Sequence, residues 1–432
     1  MNDPIAVTIL LGLFFTLLIL RVPIAFAIGA STALTMFYLG RPLVMLLQHM
    51  VDGVQVFALM AVPFFILAGE IMGSGGITNR LITLANALVG WLRGGLAHAN
   101  IVASMFFGGI SGSSAADTAS IGAVLIPIMK KNGYDGDFST AVTITSSVQG
   151  ILIPPSHNMV IYAIAAGGVS IGRLFLAGVV PGVLLGLSLM VYSYIVSVVR
   201  NYPVNDRFNV KEAIRAFGDA LWGLGTVFIV VGGVVSGIFT ATESAAIAVI
   251  YASFVTFVIY REIPFREFWS ILGRSLRTLS IVMLIVGTAR GMGWMVAYLR
   301  IPRMLAETVF SFASTPFQVL LIMNVLLLAL GTVMTMVPLI LIMTPILLPI
   351  VSAVGISPVH FGVIMILNLG IGLCTPPIGT TLFIGSAVGE VSMEKLTKSI
   401  LPFYGVMVAV LMLITYVPAS VMTLPNLLMP TL

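Results

Sequence analysis

The sequence predicts an all-α polytopic membrane protein made of two inverted-topology repeats, each holding a re-entrant helical hairpin and a broken helix. Three observations carry this. First, apolar residues make up 59% of the 432-residue chain and charged residues 8%, with a mean hydropathy of +1.14. A soluble domain carries ~25% charged residues, so this chain cannot cover itself with a polar surface. Second, one block recurs 222 residues later without a gap. Gly150, Pro154, Pro155, Gly167, Val169, Ser170 and Leu174 match Gly372, Pro376, Pro377, Gly389, Val391, Ser392 and Leu396, while upstream Gly69, Gly109, Pro127 and Gly133 match Gly291, Gly331, Pro349 and Gly355. Glycine and proline interrupt helices, so the halves share the positions of their breaks. Third, most of the basic residues, the later clusters included, fall on one side of the bilayer only if two of the apolar runs turn back within it, with Arg41, Arg173, Arg300 and Arg303 left outside and Arg290 in a span.

Taken in order, the apolar runs 7–20, 23–39, 54–72, 101–129, 142–166, 174–199, 221–239, 245–260, 281–299, 319–351, 363–388 and 401–421 read as membrane-embedded. Run 7–20 lacks a basic n-region and an A-x-A site, so it reads as a retained first span and not a signal peptide. No polar stretch is long enough to build a soluble domain. The net charge of +5 does not point to nucleic acid, because Lys and Arg sit in short loops. The single cysteine, Cys374, excludes an internal disulfide and a cysteine-based metal cluster.

Arg200, Arg207, Lys211 and Arg215 form one basic cluster and Arg261, Arg266, Arg274 and Arg277 another, with two spans between. Both therefore lie on one face, the cytoplasmic one by the positive-inside rule, and the N-terminus lies outside. Runs 101–129 and 319–351 then become hairpins, each with a Gly/Ser/Thr-rich centre. Five crossings per half make the second half inverted. The expected organisation is a first repeat 1–198 (hairpin about 94–130, broken helix about 138–168), a cytoplasmic linker 199–219, and a second repeat 220–428 (hairpin about 313–351, broken helix about 360–389). The polar stretches 79–93 and 264–277 are expected to lie along the interface as short helices.

Duplicated halves interrupted at matching positions point to the binding site of a secondary transporter. The first hairpin tip, Gly108 to Thr118, places Gly109, Ser111, Ser113, Ser114 and Asp117 at membrane depth, where polar groups are costly unless they line a cavity or are hydrogen-bonded. Ser114 and Asp117 have capping-box spacing, so Asp117 either caps the descending arm or faces the cavity. The first broken helix offers Ser156, His157 and Asn158 after Pro154-Pro155; the second offers Thr375, Gly379, Thr380 and Thr381 around Pro376-Pro377. Paired prolines free carbonyls one turn earlier, which suit Na⁺, while half-helix N-termini suit a carboxylate. Alternatively those carbonyls are satisfied by neighbouring hydroxyls. The second tip is less polar, with Gly331, Thr332 and Thr335. Thr240-x-x-Glu243 reads as a capping box, and Glu70 as a residue reaching the interface. Arg290, a lone guanidinium in its span, is expected to hold a substrate carboxylate or to pair with Glu70 or a carbonyl.

The motifs G-G-I-S-G-S-S-A-A-D-T-A-S-I-G, I-L-I-P-P-S, C-T-P-P-I-G-T-T and G-I-F-T-A-T-E-S-A-A-I-A resemble the large membrane (M-type) subunit of TRAP (tripartite ATP-independent periplasmic) transporters, in the ion transporter superfamily. The resemblance runs nearly the whole chain. It implies an elevator-type, Na⁺-coupled importer of an organic acid (of the sialic acid or C4-dicarboxylate type), with a scaffold around a transport domain in the bacterial inner membrane. It also implies a periplasmic substrate-binding protein and a small four-helix membrane subunit as partners, the latter a separate chain because no extra spans flank this one. No cofactor beyond Na⁺ and no enzymatic activity are expected. Carried over by position, Gly109, Ser111, Ser113 and Ser156 belong to one Na⁺ site and Gly331, Thr332, Thr335, Thr375 and Gly379 to another. Substrate contacts come from Ser111, Ser113, Ser114, Asp117, Asn158, Arg290, Thr380 and Thr381, between the tips.

Two other readings compete. One is a stand-alone divalent-anion/sodium symporter, which would need no binding protein. The other is a rhomboid-like intramembrane serine protease, since Gly109-Ile110-Ser111-Gly112 matches G-x-S-G; it requires a histidine on the serine, for which His157 is the candidate.

Overall fold

The computed structural model describes residues 3–204, 208–313 and 315–430. Arg207, used above for topology and part of the linker 199–219, lies outside the described residues, as does Ser314 of the second hairpin. The first half consists of α1 (Pro4–Ile19), α2 (Ile24–Tyr38), α3 (Val44–Val54), α4 (Ala61–Ser74), α5 (Ile77–Val89), α6 (Gly95–Ser111), α7 (Ser114–Lys131), α8 (Gly136–Ser147), α9 (His157–Ala165) and α10 (Ile171–Val199). The second consists of α11 (Val210–Val235), α12 (Ala241–Phe254), α13 (Phe268–Tyr298), α14 (Ile301–Phe312), α15 (Pro316–Val333), α16 (Met336–Ala353), α17 (Pro358–Leu373), α18 (Thr380–Gly389), α19 (Met393–Tyr416) and α20 (Ala419–Leu428). No strand occurs among the described residues. Among the described residues, eight helices are long and apolar enough to cross a membrane. Outward-facing Val191, Ile195, Phe228, Ile250 and Trp269 keep those helices apolar on the exposed side too, as expected where the solvent is lipid.

The helix boundaries follow the duplication. Shifted by 222 residues, α7 superposes on α16 end for end, and α6 and α8 start within one residue of α15 and α17. Two expectations fail. A helix at Val44–Val54 was missed, because Gln48, His49 and Asp52 interrupt its apolar pattern. Stretch 264–277 is not a separate interfacial helix: after a short 3₁₀ turn it runs without a break into the 31-residue α13. Stretch 79–93 does hold its own amphipathic helix, α5, which buries Ile77, Leu81, Ile82, Leu84 and Ala85 against α6 and α11. Thr240 and Glu243 form the expected capping box.

Two helix groups result. α1 to α4 pack with α12 and α13, whereas α6 to α10 pack with α15 to α19. Within the second group the halves interlock. The helix after each break crosses to the other half's hairpin, α9 onto α16 and α18 onto α7. Both hairpins turn within two residues, at Gly112-Ser113 and Met334-Thr335. Each tip stops where the adjacent helix breaks. A Cβ built on Gly108 would lie 2.0 Å from Gly150 Cα, and one on Gly372 would lie 2.7 Å from Gly331. Glycine is required there for close approach and not for a turn. At its outer end the first hairpin is tied down by Asp135, which accepts from Arg200 Nη1 at 2.7 Å and from Tyr202 Oη at 2.8 Å; these two bonds hold its carboxyl below the usual carboxylate range.

Gly108→Ala should destabilise the protein by at least about 1–3 kcal/mol through overpacking. Gly218→Ala, where an added Cβ meets nothing within 4 Å, should be neutral or slightly stabilising. Thermal unfolding of the detergent-solubilised variants checks both; equal melting temperatures would contradict the tight seat of the tip.

Candidate functional site

The first tip forms because Gly112 takes a left-handed conformation (φ 59°) that ends α6, and Ser113 then caps α7, its hydroxyl accepting from Ala116 N at 3.3 Å. Ser113 and not Ser114 is the cap, and Asp117 does not close a capping box. Its side chain turns toward α6 and accepts from Ser104 Oγ at 3.4 Å. The other carboxylate oxygen, Oδ2, is buried without a partner among the described residues, and a Cβ on Gly150 would lie 3.3 Å from it. Asp117 therefore faces the point where α8 gives way to the 3₁₀ turn Val148–Ile151.

A buried polar seam joins this hairpin to the broken helix. Asn100 Nδ2 donates to Thr143 Oγ1 at 2.7 Å, and Ser104 and Ser146 share a bond of 2.9 Å. Nearer the tip, Ser114 and Ser147 share one of 2.6 Å, and Thr118 donates to Ser147 at 3.0 Å. Gln149 Nε2 reaches Ile101 O at 2.6 Å. Buried polar groups that satisfy one another fix a unique packing, so Ser114 works here as a seam residue. Beyond the cis Pro154–Pro155 bond, Asn158 Nδ2 donates to Gly112 O at 3.3 Å. The Ser156 hydroxyl is buried and unpartnered among the described residues. Gly109 rests on Pro154 O, 3.1 Å from an added Cβ. The structure thus gathers Gly109, Ser114, Asp117, Ser156 and Asn158 at one junction.

The second tip meets its own break similarly, with fewer polar groups. Ile378 N donates to Thr332 O at 3.1 Å, and Asn368 on α17 donates to Asn324 on α15 at 2.9 Å. Gly331 and Gly372 touch, and Pro376–Pro377 is cis. Thr375 Oγ1 donates to Ile371 O at 2.8 Å and Thr381 Oγ1 to Leu373 O at 2.6 Å. Tyr404 Oη donates to Cys374 O. Carbonyls freed by this break are therefore taken up locally, and the two threonines keep only oxygen lone pairs for a ligand. Gly379 precedes α18, Thr380 opens it, and Thr335 precedes α16 without bonding as a cap. Among the described residues no three His, Cys, Asp or Glu side chains converge, so a cation at either junction would rely on carbonyl and hydroxyl oxygens, joined at the first by the lone Asp117 carboxylate.

A cavity of about 250 Å³ opens where the first tip faces α4 and α13. Ser111, Ser113, Ser120 and His157 line one wall; Glu70, Ser74, Arg274 and Thr278 line the other. It adjoins a second cavity of about 290 Å³ through Gly73, Ser74 and Ser120. None of Thr332, Thr335, Thr380 or Thr381 lines either. Arg290 does not reach the site. It is exposed on α13 with its Cβ against Gly53 of α3, and it forms no ion pair among the described residues. Glu70 pairs instead with Arg274, Nε to Oε2 at 3.3 Å. Sequence reasoning missed Arg274 because it assigned residue 274 to an interfacial helix. Ser111 and His157 share the cavity, but no hydrogen bond joins them; Ser111 Oγ accepts from Ser113 N at 3.3 Å.

Residues 11–420 match the family model of the tripartite ATP-independent periplasmic transporter, DctM component. The sialic acid TRAP transporter large permease protein SiaM of Vibrio cholerae is 41% identical over 88% of this chain and 89% of its own. The C4-dicarboxylate large permease protein DctM of the same organism is 39% identical over 98% of both. Among solved structures, the Alcanivorax borkumensis YdaH transporter aligns with a TM-score of 0.65 at 14% identity, covering 93% of this chain and 97% of its own; it shares the fold.

Asp117→Asn keeps the bond to Ser104 while removing an ionisable carboxyl whose charged form is costly to bury, a cost that falls on the folded state. In Na⁺-free buffer the variant should therefore melt about 1 °C or more above the wild type, the scale of a stability gain of about 1 kcal/mol in a chain of this length. Differential scanning fluorimetry checks it, and a clear drop would show that the carboxylate is needed structurally.

Proposed function

The chain belongs to the family of DctM components of tripartite ATP-independent periplasmic (TRAP) transporters, and from that premise we propose that it is the large permease of a Na⁺-coupled, elevator-type importer of an organic acid. The observation that carries this is the cavity between a serine-rich tip and a separate helix group. One wall belongs to the interlocked hairpins and broken helices, the moving part; the other belongs to α4 and α13, the static scaffold. Gly69 of α4 approaches Ser111 so closely that an added Cβ would lie 3.2 Å from its Cα, which leaves a smooth surface for sliding.

Na⁺ binds where Asp117 Oδ2 and Ser156 Oγ stand unpartnered, close to carbonyls at the Pro154–Pro155 break, and under the second tip at Gly331, Thr332, Thr335, Thr375 and Gly379. Bound cations neutralise Asp117 and order Ser111 and Ser113 for a carboxylate, so sodium and substrate tighten one another's binding. The cavity is smaller than the ~300–1,000 Å³ of typical ligand pockets, which suits a small acid. Its second chamber reaches Glu262, which pairs with Arg80. By the positive-inside rule that mouth is cytoplasmic, so this conformation is the inward-facing one and the N-terminus is periplasmic. The partners are a periplasmic binding protein and a small membrane subunit, in the bacterial inner membrane.

Reconstituted with both partners, the protein should take up succinate or sialic acid, and replacing Na⁺ by K⁺ should lower the rate at least about tenfold, a coupling within the usual 1–3 kcal/mol. Unchanged uptake in K⁺ would refute coupling, and uptake without a binding protein would favour a stand-alone symporter. Ser111→Ala combined with Ser113→Ala, which removes two cavity-lining hydroxyls and leaves the Ser114–Ser147 seam intact, should cut uptake by about tenfold or more, with a stability loss of only about 1 kcal/mol from the α7 cap. Wild-type rates in that double variant would move the site elsewhere.

A further inference from the structure

Resting on the transport reading above, we infer that Arg274 is the anion-binding residue of the cytoplasmic exit, and that Glu70 is the carboxylate it exchanges for the substrate's. Among the described residues lining the cavity, Arg274 is the one permanently cationic side chain. It faces Ser111 and Ser113 across that space, so an acid leaving the tip meets a guanidinium on the static wall. Its partners are Glu70 Oε2 at 3.3 Å from Nε, Ser270 Oγ at 3.1 Å from Nη1 and Ser74 Oγ at 3.0 Å from Nη2. A guanidinium carries five N–H donors; these three bonds leave two without a partner among the described residues.

The pair is built to open. Glu70 holds Arg274 through one long contact, and the two side chains are 33% and 48% exposed; a pair of this kind in water is weak. A substrate carboxylate or sulfonate that engages the guanidinium in bidentate fashion is the stronger partner. Ser74 and Ser270 keep the guanidinium in place while the acidic partner changes. Between arrivals Glu70 cancels the positive charge, so the empty exit does not trap anions, and its return displaces the substrate toward the second chamber past Ser120. The acid is held by exchange and released by exchange.

The test uses proteoliposomes containing the chain, its small membrane subunit and its binding protein, preloaded with unlabelled succinate or sialic acid. Internal acid that occupies the exit inhibits uptake of the same labelled acid from outside. Arg274→Gln should raise the internal concentration for half-inhibition by about tenfold, the usual effect of losing a charge-assisted contact. The external half-saturation should stay within about twofold, because Arg274 faces only the inner mouth. Glu70→Gln should lower the internal value at least about threefold, and Arg274→Lys should fall between wild type and Arg274→Gln. An internal value unmoved in Arg274→Gln, or internal and external values raised alike, overturns the inference. If Arg274→Gln does not assemble, Glu70→Gln decides: weaker internal inhibition overturns it and stronger inhibition supports it. Uptake in wild type with no internal inhibition also overturns the inference and leaves the transport reading standing. No uptake of either acid, with assembly intact, removes the transport reading and this inference with it.

Discussion

Everything in this fold follows from the need to satisfy main-chain polar groups where no water can. A helix interrupted inside hydrocarbon leaves donors and acceptors exposed at roughly 4–8 kcal/mol each on a water-to-cyclohexane scale. Breaks at Pro154–Pro155 and Pro376–Pro377 are tolerable only if protein closes over them. The hairpin tips are that closure. Gly112 O accepts from Asn158, and Thr332 O accepts from Ile378 N across the second junction. Glycine at positions 108, 150, 331 and 372 lets two backbones meet without side chains between them.

The halves meet this demand differently. In the first, side chains form a continuous polar seam from Asn100 to Ser147, yet Asp117 Oδ2 and Ser156 Oγ are left over. In the second, threonine hydroxyls and Tyr404 consume the freed carbonyls directly, and the seam shrinks to Asn324 and Asn368. The first junction therefore keeps a carboxylate oxygen and a hydroxyl unpartnered among the described residues, whereas the seam of the second keeps only the Asn368 amide oxygen. That difference is invisible in the duplicated Gly/Pro pattern and follows from the residues that depart from it, such as Ser111 against Val333 and Asp117 against Leu339.

Much of the architecture was legible in the sequence, because glycine and proline mark breaks regardless of tertiary context. The helix ends at 111–114, 147–157, 333–336 and 373–380 and the Thr240–Glu243 cap fall at positions that glycine, proline or capping residues mark. The charged residues were harder. Arg290 is the more conspicuous guanidinium, being alone in an apolar run, yet it lines neither cavity. Arg274 looks ordinary among interfacial arginines, and only the unbroken α13 carries it beside Glu70. Apolar periodicity says that a helix exists but not where a continuous one leaves the membrane. Likewise, Ser114-x-x-Asp117 satisfies a capping pattern, but the packing of α6 against α8 draws Asp117 sideways toward Ser104. Local spacing yields where a buried carboxylate has a better partner across a hairpin.

The crossing of α9 onto α16 and of α18 onto α7 bears on ancestry. Cut at the linker, α9 would keep its packing on α4 and α10 and α18 its packing on α17 and α19, but each hairpin would lose the flank that the other half covers. A chain descended from one such half would have needed a second, oppositely oriented copy to cover that flank.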